Sequence, residues 1–388
     1  MTEHPLAAKL PLSTGKLATY PGPKEFCSLG IGPETPRSID DFVFSGKPQF
    51  CLHVQTFTDG TLVSVTHSHI STDLMGWASI LEAWSLVLAG NLEAVAPLVG
   101  YRDDAFDALW NPAPKKSHVL VHKVLDGWRF KYWALRSLFE SWRCPDVQSR
   151  TLCIPKNTME NMMQEARSHI DATTEAKKSF ISEGDVMTAV ACRILAQYHG
   201  SGSGRELTTI MAVDPRSRAK SVFRQDAAYV QNSPTNIFFF CSAREALELP
   251  LGKLAVLVRE TVSTQAAEEQ LKAAASLSVE SMRTSKMPVI FGDKDMACQF
   301  MSNWTKGKLA EKMDFGPAVV REATPGPGGR KRGHPVYYQA SDPSHNAVSV
   351  ISSVFVVMAK DYDGNAWFSI ALPGKMWSDL MEYLEQFG

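Results

Sequence analysis

The stretch Thr66-His67-Ser68-His69-Ile70-Ser71-Thr72-Asp73-Leu74-Met75-Gly76-Trp77 joins a β-rich run to an amphipathic helix. Upstream, FCLHVQTF and TLVSVTHSH flank a short Asp-Gly turn between Phe50 and His69, which reads as a β-hairpin. Downstream, Trp77, Ile80, Leu81, Trp84, Val87 and Leu88 recur at three- and four-residue steps and predict a helix over Gly76 to Leu88. Ten histidines are scattered along the chain, and this stretch holds their tight grouping. His67 and His69 alternate onto one strand face and could share a metal with Asp73, but no further ligand cluster accompanies them, so no metal is expected. His67 reads as a structural strand residue. His69 stands at a strand end, where a scaffold presents side chains to a cleft.

The chemistry open to this histidine narrows by what else is missing. No G-x-S-x-G elbow, phosphate-binding loop or dinucleotide fingerprint occurs. A histidine working as a general base near neutral pH, without a covalent nucleophile, suits a direct transfer reaction.

Further out, Ser352 to Leu372 reads as a second hairpin around Asp363-Gly364, followed by a helix from Ser378 to Phe387. Thr72-Asp73-Leu74-Met75 and Ser378-Asp379-Leu380-Met381 echo one another, which suggests two similar lobes. Between them, Asp126 to Arg143 predicts a helix rich in Trp, Phe, Leu, Arg and Lys. Such a helix can lie on a membrane surface; the reading adopted is a connector packed on the lobes with its basic side in water. Ser182 to Tyr198 opens with capping residues and runs into an apolar period, a buried helix. The acidic turn at Asp103, Asp104 and Asp107, NPAPKK at 111–116, GSGSG at 200–204 and the glycine-rich basic run at 325–333 read as loops. Phe238-Phe239-Phe240 reads as core strand.

Composition limits the class. The chain has 388 residues, 44% hydrophobic content and 40 Lys plus Arg against 41 Asp plus Glu, for a net charge of -1. That is enough for two or three domains with sizeable cores, without the basic excess of a nucleic-acid binder. No run reaches the roughly 18 apolar residues of a membrane span, and Met1 to Pro11 lacks the regions of a secretion signal, so a cytoplasmic location is expected. The seven cysteines include no C-x-x-C pair, which argues against a disulfide framework or zinc site and for buried thiols.

Several segments together carry a resemblance. His69-Ile70-Ser71-Thr72-Asp73 with Gly76 resembles the H-x-x-x-D motif of the BAHD acyltransferases, particularly their fungal branch. LEAWSLVLAG at 81–90 is similar to the helix after the motif, SEGDVMTAVACRI, with Asp185 and Thr188, to the family's S-x-x-D-x-x-T-A helix, and VDPRSR at 213–218 to V-D-G-R-x-R. Ser302-Asn303-Trp304 followed by Asp314-Phe315-Gly316 resembles the second signature, D-F-G-W-G. The matches keep the family's order over roughly residues 5 to 385 of this chain.

The resemblance implies an α/β (α+β) fold of two chloramphenicol-acetyltransferase-like lobes, 1–147 and 148–388, with mixed sheets, flanking helices and a tunnel between them. It implies His69 as the base that deprotonates an acceptor attacking an acyl-CoA thioester, with acetyl-CoA the expected co-substrate and no permanently bound cofactor. Asp73 is carried with His69 as a catalytic-motif residue that turns away to an arginine. Arg216 matches that partner better than Arg218. Gly76, Asp314, Phe315 and Gly316 would be structural support, and no residue is assigned to cofactor binding. The expected partners are acyl-CoA and a small-molecule acceptor, a hydroxyl of a fungal terpenoid or polyketide before an amine, with the chain a monomer.

Departures leave two other readings open. Leu74 follows Asp73, Pro317-Ala318 stands where Trp-Gly is expected, and HPLAAKL at 4–10 matches a segment that lies well inside other members, which suggests a missing first strand and helix and an exposed strand edge. A degenerate member that only binds a small molecule, or one that promotes a CoA-independent cyclisation, would fit these departures. Asn232 or Asn236 would match a family asparagine beside the tunnel.

Overall fold

Runs of β-branched and aromatic residues form the strands of a mixed sheet, and the helices that join them cover it. The computed structural model describes residues 1–388 apart from 13, 103, 105, 112–116, 145, 172–179, 201–203, 234, 321–330, 342–350 and 352. The strands are β1 (Ala18–Pro21), β2 (Phe50–Thr56), β3 (Thr61–His67), β4 (Val147–Ile154), β5 (Glu206–Val213), β6 (Thr235–Ser242), β7 (Ala297–Asn303), β8 (Ser353–Lys360) and β9 (Ala366–Pro373). The helices are α1 (Cys27–Gly30), α2 (Ile39–Phe44), α3 (Leu74–Leu88), α4 (Asp107–Trp110), α5 (Gly127–Arg143), α6 (Lys156–Asp171), α7 (Glu183–His199), α8 (Ala243–Glu248), α9 (Leu251–Gln265), α10 (Glu268–Thr284), α11 (Leu309–Lys312) and α12 (Gly374–Glu385). Asp103, most of NPAPKK, the centre of GSGSG and most of the 325–333 run lie outside the described residues.

Seven strands form one sheet in the order β1-β4-β9-β8-β7-β5-β6, parallel where β7 meets β5 and β8 and antiparallel elsewhere. Alternation along each strand splits the core in two. Ile237, Phe239, Ala297, Met301 and Phe355 meet α6, α7, α9 and α12 on one face. Ile210 and Phe238 meet Phe291 on the other, where Cys298 packs with Trp133 of α5. Phe238 and Phe239 are therefore core strand residues, with Phe240 half-buried beside them.

The hairpin β2-β3 stands apart as a two-stranded sheet. Residues of the first thirty, Ala7, Phe26 and Leu29 among them, pack on it through Phe57 and Leu62. Its other face leaves Phe50, Leu52 and Val54 41, 55 and 50% exposed.

Both units are an antiparallel hairpin followed by a helix, but the four-letter echo does not mark the same place in each. Asp73 caps α3 after a six-residue turn, whereas α12 starts at Gly374 immediately behind β9, so Asp379 lies inside a helix. The predicted helix start at Ser378 is corrected by four residues, because Pro373 already sets the extended backbone that precedes a first turn. The cysteines also need correction. None of the seven is in a disulfide, but only Cys153, Cys192, Cys241 and Cys298 are buried.

A buried histidine outside the motif should make the fold acid-sensitive. His118 is 3% exposed and stacked on Phe291 at 5.0 Å, and its Nδ1 accepts from Leu120 N at 3.2 Å. Burial lowers its pKa from 6.5 to about 4. The unfolded chain therefore binds the extra proton first, so this contribution is complete above about pH 6.5 and is lost as pH falls towards 4, by up to about 3 kcal/mol. His118→Asn, which keeps an acceptor there without a titrating ring, should flatten the dependence of the urea midpoint on pH in that window. An unchanged slope would assign the acid sensitivity elsewhere.

Candidate functional site

Beyond β3 the chain turns through Ser68 to Asp73 before α3 begins. The turn is closed by Ser71 N donating to Ser68 O at 3.1 Å, and Ser71 Oγ donates to Gln49 Oε1 at 3.1 Å. His69 sits exposed in this turn and makes no hydrogen bond or ion pair among the described residues. His67, two residues earlier, stacks on Trp77 at 4.9 Å with Phe50 beside it at 5.9 Å. Burial in that stack lowers its pKa and favours the neutral ring.

Asp73 is fixed at both carboxylate oxygens. Oδ1 accepts from Met75 N at 3.1 Å and Gly76 N at 3.0 Å, the bonds of a helix N-cap. Oδ2 accepts from Ser233 N at 2.7 Å and Arg216 Nη2 at 3.0 Å. The carboxylate thus turns to the 216–233 region and makes no hydrogen bond to His69. Arg216 in turn donates to Asp214 Oδ1 at 2.7 Å and to the Gln231 carbonyl, with Phe106 under its guanidinium at 5.5 Å. Asp73 is not the partner of Arg218, which lies towards the surface near Arg259.

Gly76 is required by close approach. A Cβ there would lie 2.4 Å from both Thr72 Oγ1 and the Val230 carbonyl oxygen. The oxygen is backbone and cannot swing aside, so Gly76→Ala must push α3 away from the 230–233 segment. We expect a loss of about 1 to 3 kcal/mol in urea unfolding; a neutral substitution would mean that this packing is loose.

The second sequence signature packs on the opposite side of α3. Ser85 Oγ donates to the Lys312 carbonyl at 2.8 Å and accepts from Asp314 N at 2.9 Å, while Lys312 pairs with Glu82 at 2.6 Å. Phe315 meets Trp84 edge-on at 5.2 Å. Asp314 Oδ1 accepts from Gly316 N at 2.8 Å, and Gly316–Ala318 forms a short 3-10 turn in which Pro317 needs no N–H. Phe315 N donates to Gly333 O at 2.9 Å, and Gly333 passes so close that a Cβ would fall 2.0 Å from Gly316 N. Trp304 Nε1 donates to Ser302 Oγ at 3.0 Å at the end of β7.

The S-x-x-D-x-x-T-A stretch is helix-start chemistry. Ser182 and Asp185 form a capping box, Arg259 Nε donates to Asp185 Oδ2 at 2.9 Å, and Thr188 Oγ1 donates to Gly184 O at 2.8 Å. Asn232 and Asn236 are both exposed. Among the described residues no three His, Cys, Asp or Glu side chains are placed to hold a metal ion.

A profile of the Transferase family matches residues 39–329, which takes in the histidine turn, Arg216 and the second signature. The chain belongs to this family, the BAHD acyltransferases. Across its full length this BAHD chain is 30% identical to acetyltransferase adrJ of Penicillium rubens and covers 78% of it. It is 30% identical to O-acetyltransferase PaAT-2 of Phomopsis amygdali, with 99% of this chain and 80% of that one aligned. A protein of Penicillium decumbens named transcriptional regulator calD is 31% identical over 99% of this chain and 77% of its own. The fold is similar to that of F. graminearum TRI101 crystallised with coenzyme A and deoxynivalenol, with a TM-score of 0.58, 15% identity, and 91% of this chain and 70% of that one covered.

Sequence reading missed Asp214, Gln231, Ser233 and Ser85. Asp214 lay within the VDPRSR segment and gave a signal without a role. Ser233 contributes a backbone N–H, which no side-chain pattern advertises.

Proposed function

We propose that the chain moves an acyl group, acetyl in the first instance, from acyl-CoA to a hydroxyl of a fungal secondary metabolite, with His69 as the general base. Membership of the family supports acyl transfer, and relatives named acetyltransferase or O-acetyltransferase support acetyl and oxygen. The observation that carries the base is the exposed, unbonded His69 ring on a turn anchored four residues later by Asp73 and Arg216.

An unprotonated imidazole nitrogen of His69 takes the proton of the acceptor O–H as that oxygen attacks the thioester carbonyl. The tetrahedral intermediate collapses to ester and CoA thiolate. The imidazolium then returns the proton to the thiolate, so the enzyme ends as it began. Asp73 and Arg216 hold the turn, while Asp314, Phe315 and Gly316 brace α3 from its far side. Lobes at 1–147 and 148–388 belong to this reading, with β1 contributed to the sheet of the second. Acceptor-dependent thiol release from acetyl-CoA, followed with DTNB over a panel of hydroxylated terpenoids and polyketides, tests it. Folded protein that releases no thiol with any acceptor would overturn it.

A second reading, binding of a small molecule without transfer, draws on the relative named as a regulator and on Pro317-Ala318 in the second signature. It expects thermal stabilisation by a metabolite and none by acetyl-CoA.

A further inference from the structure

The sequence favoured a basic outer side for α5, but its aromatic side faces outwards. Trp133 and Ser137 are buried, with Phe130 and Ala134 half-buried against Leu125, Met296 and Cys298. On the opposite side, steps of four and three align Trp128, Tyr132, Leu135, Phe139 and Trp142. They are 66, 45, 68, 53 and 71% exposed. Scattered exposed apolar residues are ordinary on a protein surface, but five large ones in a row along one helix mark a binding face.

The flanks of the row indicate what it binds. The helix carries Arg129, Lys131, Arg136 and Arg143 against Glu140 alone. Glu140 is occupied by Arg136 and Arg205, both at 2.9 Å. Lys131 and Arg143 are exposed on either side of the row. Arg143 lies over Phe139 at 5.8 Å, and Lys294, itself paired with Asp295 at 2.6 Å, lies over Tyr132 at 5.2 Å, so Lys131 and Arg143 are the cations that edge the aromatic surface.

We propose that α5 is a membrane-surface helix that lays this row into the headgroup region of an anionic bilayer. Trp and Tyr combine an apolar ring with a polar N–H or O–H and concentrate at that boundary. Lys and Arg at the rim meet anionic headgroups. A second copy of the chain fits the face less well, because a symmetric pairing would bring its basic rims together and, of the five residues in the row, Leu135 alone is an aliphatic knob of the kind that fills a helix-helix seam. The helix lies on the surface; among the described residues no helix is long and apolar enough to cross a membrane. This inference stands independently of the acyl-transfer reading.

Flotation of the full chain with phosphatidylcholine vesicles, with and without phosphatidylserine, tests the proposal. The wild type should float with the phosphatidylserine vesicles and less so at high salt. Trp128→Ser/Phe139→Ser/Trp142→Ser should partition at least about tenfold more weakly, as should Lys131→Glu/Arg143→Glu. Both variants alter exposed positions, so melting should be unchanged, and the charge variant keeps the test intact if the apolar one melts lower. A wild type that never floats, or variants that float as it does, would overturn the proposal. So would a dimer in sedimentation velocity that the Trp128, Phe139 and Trp142 changes abolish, because a second copy would then cover the face.

Discussion

His69→Ala should lower acceptor-dependent thiol release from acetyl-CoA by about 10²- to 10⁴-fold, the range of a positioned general base. The effect should fall on kcat, because deletion of the ring leaves the acceptor O–H without a proton acceptor in the transition state. Stability should hardly change. His69 is exposed and bonded to nothing among the described residues, so its removal opens no cavity and strands no buried partner. That pairing of a large kinetic loss with an unchanged urea midpoint separates a base from a structural histidine. His67→Ala should show the reverse emphasis, since it removes one ring of the cluster it forms with Phe50 and Trp77. An unchanged rate in His69→Ala would sink the assignment.

Arg216→Ala should cost about 3 to 5 kcal/mol in urea unfolding and slow turnover as well. Asp73 and Arg216 side chains are 9 and 11% exposed, and the guanidinium also holds Asp214 and the Gln231 carbonyl. Its loss leaves a buried carboxylate, a second partly buried one and a carbonyl without their shared donor. The three backbone N–H groups on Asp73 remain, which places the expected cost towards the lower end. Arg216→Lys should recover only part of it, because one ammonium cannot reproduce a planar fork spread over three acceptors. Normal melting together with normal activity in Arg216→Ala would refute the anchoring role.

Much of this arrangement was legible in the residues. The hairpin, α3 and α7 follow from periodicity and capping residues, and their boundaries fall within two residues of the structure. The helix α3 starts two residues earlier than its apolar period indicates, because Asp73 caps it at Met75 and Gly76. Other features were not legible. The likeness of Thr72-Asp73-Leu74-Met75 to Ser378-Asp379-Leu380-Met381 misled, because identical letters cap a helix only where the backbone before them is extended, and Pro373 had already started α12 upstream. α5 misled in another way. It is apolar around so much of its circumference that either side could have met the sheet, and the fit of Trp133 beside Met296 and Cys298 decided which one did.

The sequence by itself determined the local pieces: a hairpin read as far as His69, an amphipathic helix behind the motif and a family pattern extending to Asp314-Phe315-Gly316; the structure ends the strand at His67 and leaves His69 in the turn. Local spacing fixes these because hydrogen bonds to the nearest turn and side-chain periodicity act within a few residues. Tertiary structure alone decided what holds Asp73, since Arg216 and the Ser233 N–H come from 143 and 160 residues away. It also decided which face of α5 points outwards. Both depend on the strand order that brings β5 and β6 to one sheet edge and sets Cys298 of β7 opposite Trp133, and contacts of that range are set by how whole elements pack.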